Sequence, residues 1–116
     1  MLFRSDLLLA GQLIGVEGYL ESTAMGWLAG VNAARLATGA APIVPPTTTS
    51  IGSLVAYVTE PGRRNFQPVN ANYGLFPELA ERVRRGADRK RAHAERALAA
   101  LEGFREEAIP SGRSAA

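Results

Sequence analysis

The stretch Leu7-Leu-Leu-Ala-Gly-Gln-Leu-Ile-Gly-Val-Glu-Gly18 is an apolar run that stops at a glycine and continues into a turn with glycines at 11, 15 and 18. Residues 7–10 are uninterruptedly apolar, which predicts a strand covered on both faces, although leucine is not a favoured strand residue. The three glycines permit positive φ or a close backbone approach, so a turn follows. Residues 19–38 have few breakers, many alanines and a glycine just beyond, at Gly39, which predicts a helix. Strand, glycine turn and helix is the order in which helix N-terminal N–H groups and the positive end of the helix dipole stabilise a negatively charged group. The glycine spacing is not that of Gly-x-Gly-x-x-Gly, and no Lys-Ser/Thr pair follows to make a phosphate loop. By spacing alone, a structural turn and a ligand contact both stay open.

The predicted first helix is unusual in its small residues, Ala24, Gly26, Ala29, Gly30, Ala33, Ala34 and Ala37, which let a sheet or a cofactor approach closely. A glycine inside a helix costs about 1 kcal/mol against alanine, so Gly26 and Gly30 call for a packing reason. Glu21, Asn32 and Arg35 argue against a membrane dimer motif, and the interrupted opening of the chain, Met1 to Ile14, argues against a spanning segment. A proline-containing connection leads to Thr47, Thr48, Thr49 and Ser50, all suitable N-caps, before Ile51, Leu54, Val55 and Val58 recur at the spacing of a buried helical stripe. Residues 60–76 are irregular, with Phe66, Tyr73 and Phe76 set among Asn65, Gln67, Asn70 and Asn72, and the aromatics favour an ordered loop.

A third helix is predicted from Pro77 to about Phe104, with Gly86 as a kink or break, Glu78 and Glu81 suiting its N-terminus, and Leu79, Val83, Ala94, Leu98 and Leu101 along a buried stripe. Arg82, Arg85 and Arg89 then form one cationic stripe, able to contact phosphates or simply to face water. The tail 107–116 reads as frayed and flexible. With 116 residues, the chain holds at most one domain, and its zero cysteines exclude disulfides, cysteine-ligated zinc and a thiol nucleophile of its own. The net charge of +2 is uneven, because residues 1–60 carry two basic and four acidic side chains and residues 61–116 carry eleven and seven. That imbalance is compatible with a polyanion partner and with a solvated surface. His93, the only histidine, reads as a solvated helix residue. Glu17 and Glu21 are favoured by the helix dipole without any acid–base role.

Beyond these patterns, Leu9-Ala-Gly-Gln-Leu-Ile-Gly-Val-Glu-Gly-Tyr-Leu-Glu-Ser-Thr-Ala-Met-Gly26 resembles the C-terminal FAD-domain motif of the folate- and FAD-dependent tRNA (uracil-5-)-methyltransferases, the TrmFO family. The FAD-dependent wobble-uridine modifying enzymes, MnmG or GidA, share Ala-Gly-Gln, a later Gly-Tyr and the small-residue helix. Val16 to Ser22, Pro45-Pro46-Thr47-Thr48, Ile51-Gly52-Ser53-Leu54 and especially Asn65-Phe66-Gln67-Pro68-Val69-Asn70-Ala71-Asn72-Tyr73-Gly74-Leu75-Phe76-Pro77 resemble the methyltransferases, over about residues 5–104.

The resemblance implies an α-rich C-terminal fragment of an α/β Rossmann-like FAD domain: one strand followed by three or four helices and a long ordered loop. Residues 1–60 would be the FAD-side segment, 61–106 the aromatic loop and basic helical region, and 107–116 the tail. It implies FAD neighbours at Gly11, Gln12, Gly15, Val16, Glu17, Gly18 and Tyr19. Many flavoproteins with two dinucleotide sites have Gly-Asp where this chain has Gly11-Gln12, whose amide can both donate and accept hydrogen bonds. It further implies a cytoplasmic flavoprotein of tRNA processing, with FAD, NADPH and methylenetetrahydrofolate as one-carbon donor, no catalytic residue in this chain and no membrane. tRNA would be one partner, touched by Arg82, Arg85 and Arg89, and the missing N-terminal part, with the FAD fingerprint and the cysteines, the other. Alone, the chain is expected to be inactive, to bind no FAD and to associate; the alternatives are a non-catalytic RNA-binding or assembly fragment and a relative of the wobble-uridine enzymes.

Overall fold

A strand needs a neighbour with which to exchange backbone hydrogen bonds, and residues 7–10 have none among the described residues. In the computed structural model, which describes residues 7–109, this run is unpaired coil, with Leu7 47% and Leu9 44% exposed. The predicted strand is therefore absent, and no strand forms among the described residues. Their one β contact is an isolated parallel bridge between Val16 and Val69. The chain instead folds as a 3-10 turn (Gly11–Ile14), helix α1 (Tyr19–Ala37), helix α2 (Ser50–Thr59), a second 3-10 turn (Tyr73–Leu75) and helix α3 (Gly86–Ala108).

Gly11 and Gly15 take φ values of 77° and 94°, a region that side chains with a Cβ avoid, and so reverse the chain ahead of α1. The Val16 N–H then donates to the Gly11 carbonyl at 3.2 Å. α1 starts at Gly18 without a side-chain cap and buries Met25, Leu28 and Asn32. Asn32 spans to the connection before α2: its Nδ2 donates to the Ile43 carbonyl at 2.8 Å and its Oδ1 accepts the Ile43 N–H at 2.7 Å. α2 begins where its capping sequence predicts. The Thr49 hydroxyl accepts the Gly52 N–H at 3.1 Å and donates to the Pro46 carbonyl at 2.7 Å.

Two small cores result. Val16, Met25 and Leu54 form one, flanked by Ile14, Ile51, Val55, Val58, Val69 and Leu75; Leu28, Ile43 and Phe104 form the other, flanked by Val31 and Leu101. The predicted stripe of α2 faces both cores. The radius of gyration is 15.7 Å, against about 13 Å expected for a compact chain of this length. The structure is accordingly open.

α3 departs from its predicted start. Residues 77–85 are not helical, and the helix begins at Gly86. Arg82, Arg84 and Arg85 would crowd the positive end of a helix begun earlier, whereas a start at Gly86 puts Asp88 in the first turn. The Arg96 guanidinium also holds the Pro77 and Glu78 carbonyls at 2.6 and 2.9 Å, so residues 79–85 run back along α3 to reach its start. The buried face of α3 is rotated from the predicted one: His93 and Phe104 are buried, while Leu98 is 65% exposed. Glu107 and Ala108 are helical rather than frayed. The rest of the predicted tail, residues 110–116, lies outside the described residues.

Candidate functional site

The glycine turn and the start of α1 are held by residues far away in sequence. The Glu17 N–H donates to the Val69 carbonyl at 3.1 Å, and the Val69 N–H to the Gly15 carbonyl at 2.9 Å. The Glu21 carboxylate folds back into the space beside Gly18 that a Cβ would take, and accepts the Ala71 N–H at 3.2 Å. Ser22 Oγ donates to the Val16 carbonyl at 3.1 Å. Gly15 has an internal reason to be glycine besides its φ: a Cβ there would collide with the Phe66 ring. Phe66 in turn packs on Tyr57, with ring centroids 5.6 Å apart, and Arg63 lies over the other aromatic of that pair, 4.0 Å from the Tyr57 centroid.

Of the residues expected beside a cofactor, Gly11, Gly15 and Val16 are buried and take part through their backbone. Gln12, Glu17 and Tyr19 are exposed, and Gly18 is half-buried at the uncapped start of α1. The uncapped start of α1 thus follows a turn whose Gln12 side chain is exposed. It suits a neutral or electron-rich carbonyl better than a phosphate, because Glu17 and Glu21 lie at the same end.

The cationic residues separate. Arg82 lies in the irregular segment before α3, Arg85 is the N-cap of α3, and Arg89 is in its first turn. They do not share a helical stripe, since Arg82 is not helical. Arg82 and Arg89 both line a cleft between residues 73–83 and α3, and Arg85 does not.

His93 is not solvated. It is buried, stacked on Tyr73 at 5.5 Å with an interplanar angle of 30°, and edge-on to Phe76 at 5.6 Å. Arg96 Nη2 lies 3.1 Å from His93 Nδ1, and since a guanidinium can only donate, Nδ1 accepts and the neutral ring carries its proton on Nε2. Burial first, then the charges of Arg96 and Arg89, hold this imidazole below its ordinary value of 6.5. The recurrence His93, Ala97, Leu101, Phe104 and Ala108 fits a helical face better than the stripe read through Leu98. Partners such as Tyr73 and Phe76, some twenty residues away, leave no periodic trace.

Much of α1 faces outward: Gly26 and Gly30 meet nothing within 4 Å, and Tyr19, Leu20 and Trp27 are exposed large apolar residues, as is Leu13 in the preceding turn. Among the described residues, no helix is long and apolar enough to cross a membrane and no group of side chains could hold a metal ion.

These features define an α-helical unit built around a glycine turn, with an apolar flank and a basic end. The family model described as glucose inhibited division protein A, GIDA, matches residues 2–41. A methylenetetrahydrofolate–tRNA-(uracil-5-)-methyltransferase TrmFO of Bacillus cereus (strain G9842) is 50% identical over 101 residues, covering 87% of this chain and 23% of the relative. The TrmFO protein of Lactiplantibacillus plantarum is 51% identical over 106 residues, 91% of this chain and 24% of that protein. The chain is similar to proteins of the TrmFO/GidA-related family over most of its length, and it spans about a quarter of the length of the curated relatives it matches.

Proposed function

We propose that this chain is the C-terminal, FAD-side portion of a methylenetetrahydrofolate–tRNA-(uracil-5-)-methyltransferase, which methylates C5 of the T-loop uridine in tRNA, and that it acts only together with the rest of that enzyme, in the cytoplasm. The observation that carries this reading is the roughly half-identical match to TrmFO proteins across almost the whole chain. In this reading the chain closes one side of an α/β Rossmann-like FAD domain. Residues 7–10 then pair as a strand once neighbouring strands are supplied, and the open small-residue face of α1 receives the sheet.

The residues at the turn fit a flavin. The uncapped N-terminus of α1 and the exposed Gln12 amide present hydrogen-bond donors, and the backbone fixed by Gly11, Gly15 and Val16 holds them in place. FAD, when bound, supplies the reducing equivalents for the transfer of a one-carbon unit from methylenetetrahydrofolate. This chain's share is to orient the flavin through Gln12 and the N–H groups following Gly18, to stabilise negative charge at that end by the helix dipole, and to flank the site with Glu17 and Tyr19. No side chain here serves as nucleophile. Arg82, Arg85 and Arg89 contact the tRNA backbone.

Co-expression with the remaining three quarters of a TrmFO relative tests this. The expected result is a flavin-bound complex that methylates tRNA, while the chain alone is colourless, self-associating and inactive. A yellow, monomeric preparation of the chain alone, or an assembled complex without methylation, would sink the proposal.

A further inference from the structure

Residues 73–83 and the first turns of α3 enclose a cleft of about 760 Å3 that combines aromatic and cationic lining. Tyr73, Phe76 and His93 make its aromatic wall: Tyr73 and His93 are stacked, and Phe76 stands edge-on to both, 5.2 Å from Tyr73 and 5.6 Å from His93. The wall is stiff, because Arg96 ties residues 77 and 78 to α3 and hydrogen-bonds His93. Tyr73, stacked on His93, nevertheless keeps 41% of its surface exposed at the cleft it lines. Arg82, Arg89 and Lys90 line the same cleft and are exposed, and the exposed Glu78 and Glu81 line it with them.

This combination selects among ligands. A free phosphate has no use for the aromatic wall, and an apolar ligand has none for three cations. A base-paired duplex keeps its ring faces inside the stack, out of reach of Tyr73. An unpaired nucleotide satisfies both, its base extending the ring stack and its flanking phosphates meeting the cations, as on single-strand binding platforms. We propose that the cleft binds an unpaired nucleotide of single-stranded RNA, with Tyr73 stacking on the base and Arg82, Arg89 and Lys90 on the adjoining phosphates. This rests on the RNA-facing part of the function proposed above and sharpens it, adding Tyr73 and Lys90 and leaving out Arg85.

The test uses the full 116-residue chain and two labelled probes, a short oligouridylate and an abasic ribose-phosphate strand of the same length and charge, with binding read by fluorescence anisotropy. Wild type should prefer the oligouridylate by about tenfold, the order expected from one stacked base. Tyr73→Leu should abolish that preference, and Tyr73→Trp should keep it. Arg89→Ala with Lys90→Ala should weaken both probes. Arg105→Ala, which removes a cation from an exposed site outside the cleft, should change neither. Equal binding of the two probes by wild type, a preference that survives Tyr73→Leu, or its loss in Tyr73→Trp overturns the inference. Intact tRNA, offered to the chain co-expressed with the remaining three quarters of a TrmFO relative, separates this from the broader reading: tRNA binding without any base preference removes the cleft alone, and no tRNA binding removes both.

Discussion

Asn32 does more for this small fold than its size implies. Its amide answers both backbone groups of Ile43, in a place where water cannot. Asn32→Ala should lower stability by about 2 kcal/mol in urea unfolding, because two buried polar groups lose their partner. Asn32→Asp should also destabilise, since a carboxylate cannot donate to the Ile43 carbonyl. His93 adds a pH dependence. Its folded value lies below 6.5, so the unfolded chain binds the proton more readily. The stability it contributes is complete above pH ~6.5 and is lost as pH falls through the lower folded value. Wild type should therefore lose stability on acidification from neutrality before the carboxylates titrate, and His93→Gln should not; parallel urea midpoints for the two proteins would refute this.

At the scale of elements, α2 was legible because its signals are local. A capping threonine and a stripe at i, i+3, i+4 and i+7 lie within ten residues, and the structure uses Thr49 as its cap. Thr49→Ala should cost about 1 kcal/mol by thermal or urea denaturation, and Thr49→Ser should recover most of it. α3 was legible in its existence and not in its start. Charge crowding at Arg82, Arg84 and Arg85 opposes a helix there, but the deciding contacts come from Arg96, whose hold on residues 77 and 78 joins positions nearly twenty apart. The aromatic loop was predicted to be ordered, and the cause is similarly remote: its Val69 bridges Val16, its Phe66 fills the space above Gly15, and its Tyr73 stacks on His93.

For the molecule as a whole, the unsatisfied surface is as informative as the core. Gly26 and Gly30 have open space around them, so Gly26→Ala with Gly30→Ala should stabilise the isolated chain, by about 1 kcal/mol per site at most. Under the proposed function, the same double substitution should weaken assembly with the complementary portion of a TrmFO relative, because it thickens the face proposed to meet a sheet. Thermal melts of the chain and pull-down of the complementary portion measure the two effects. Stabilisation without any loss of assembly would show that this face is not the one covered.

The sequence by itself determined the glycine turn, the helical character of α1 and α2, the kinship with TrmFO proteins and the absence of a thiol, since each rests on residue type and short spacing. Only the tertiary structure decided that residues 7–10 stay unpaired, that α3 begins at Gly86, that His93 is buried and that Arg82 and Arg89 share a cleft without Arg85. A strand exists only through its neighbours, and a side chain's burial depends on what folds over it. Neither is encoded in the periodicity of one segment.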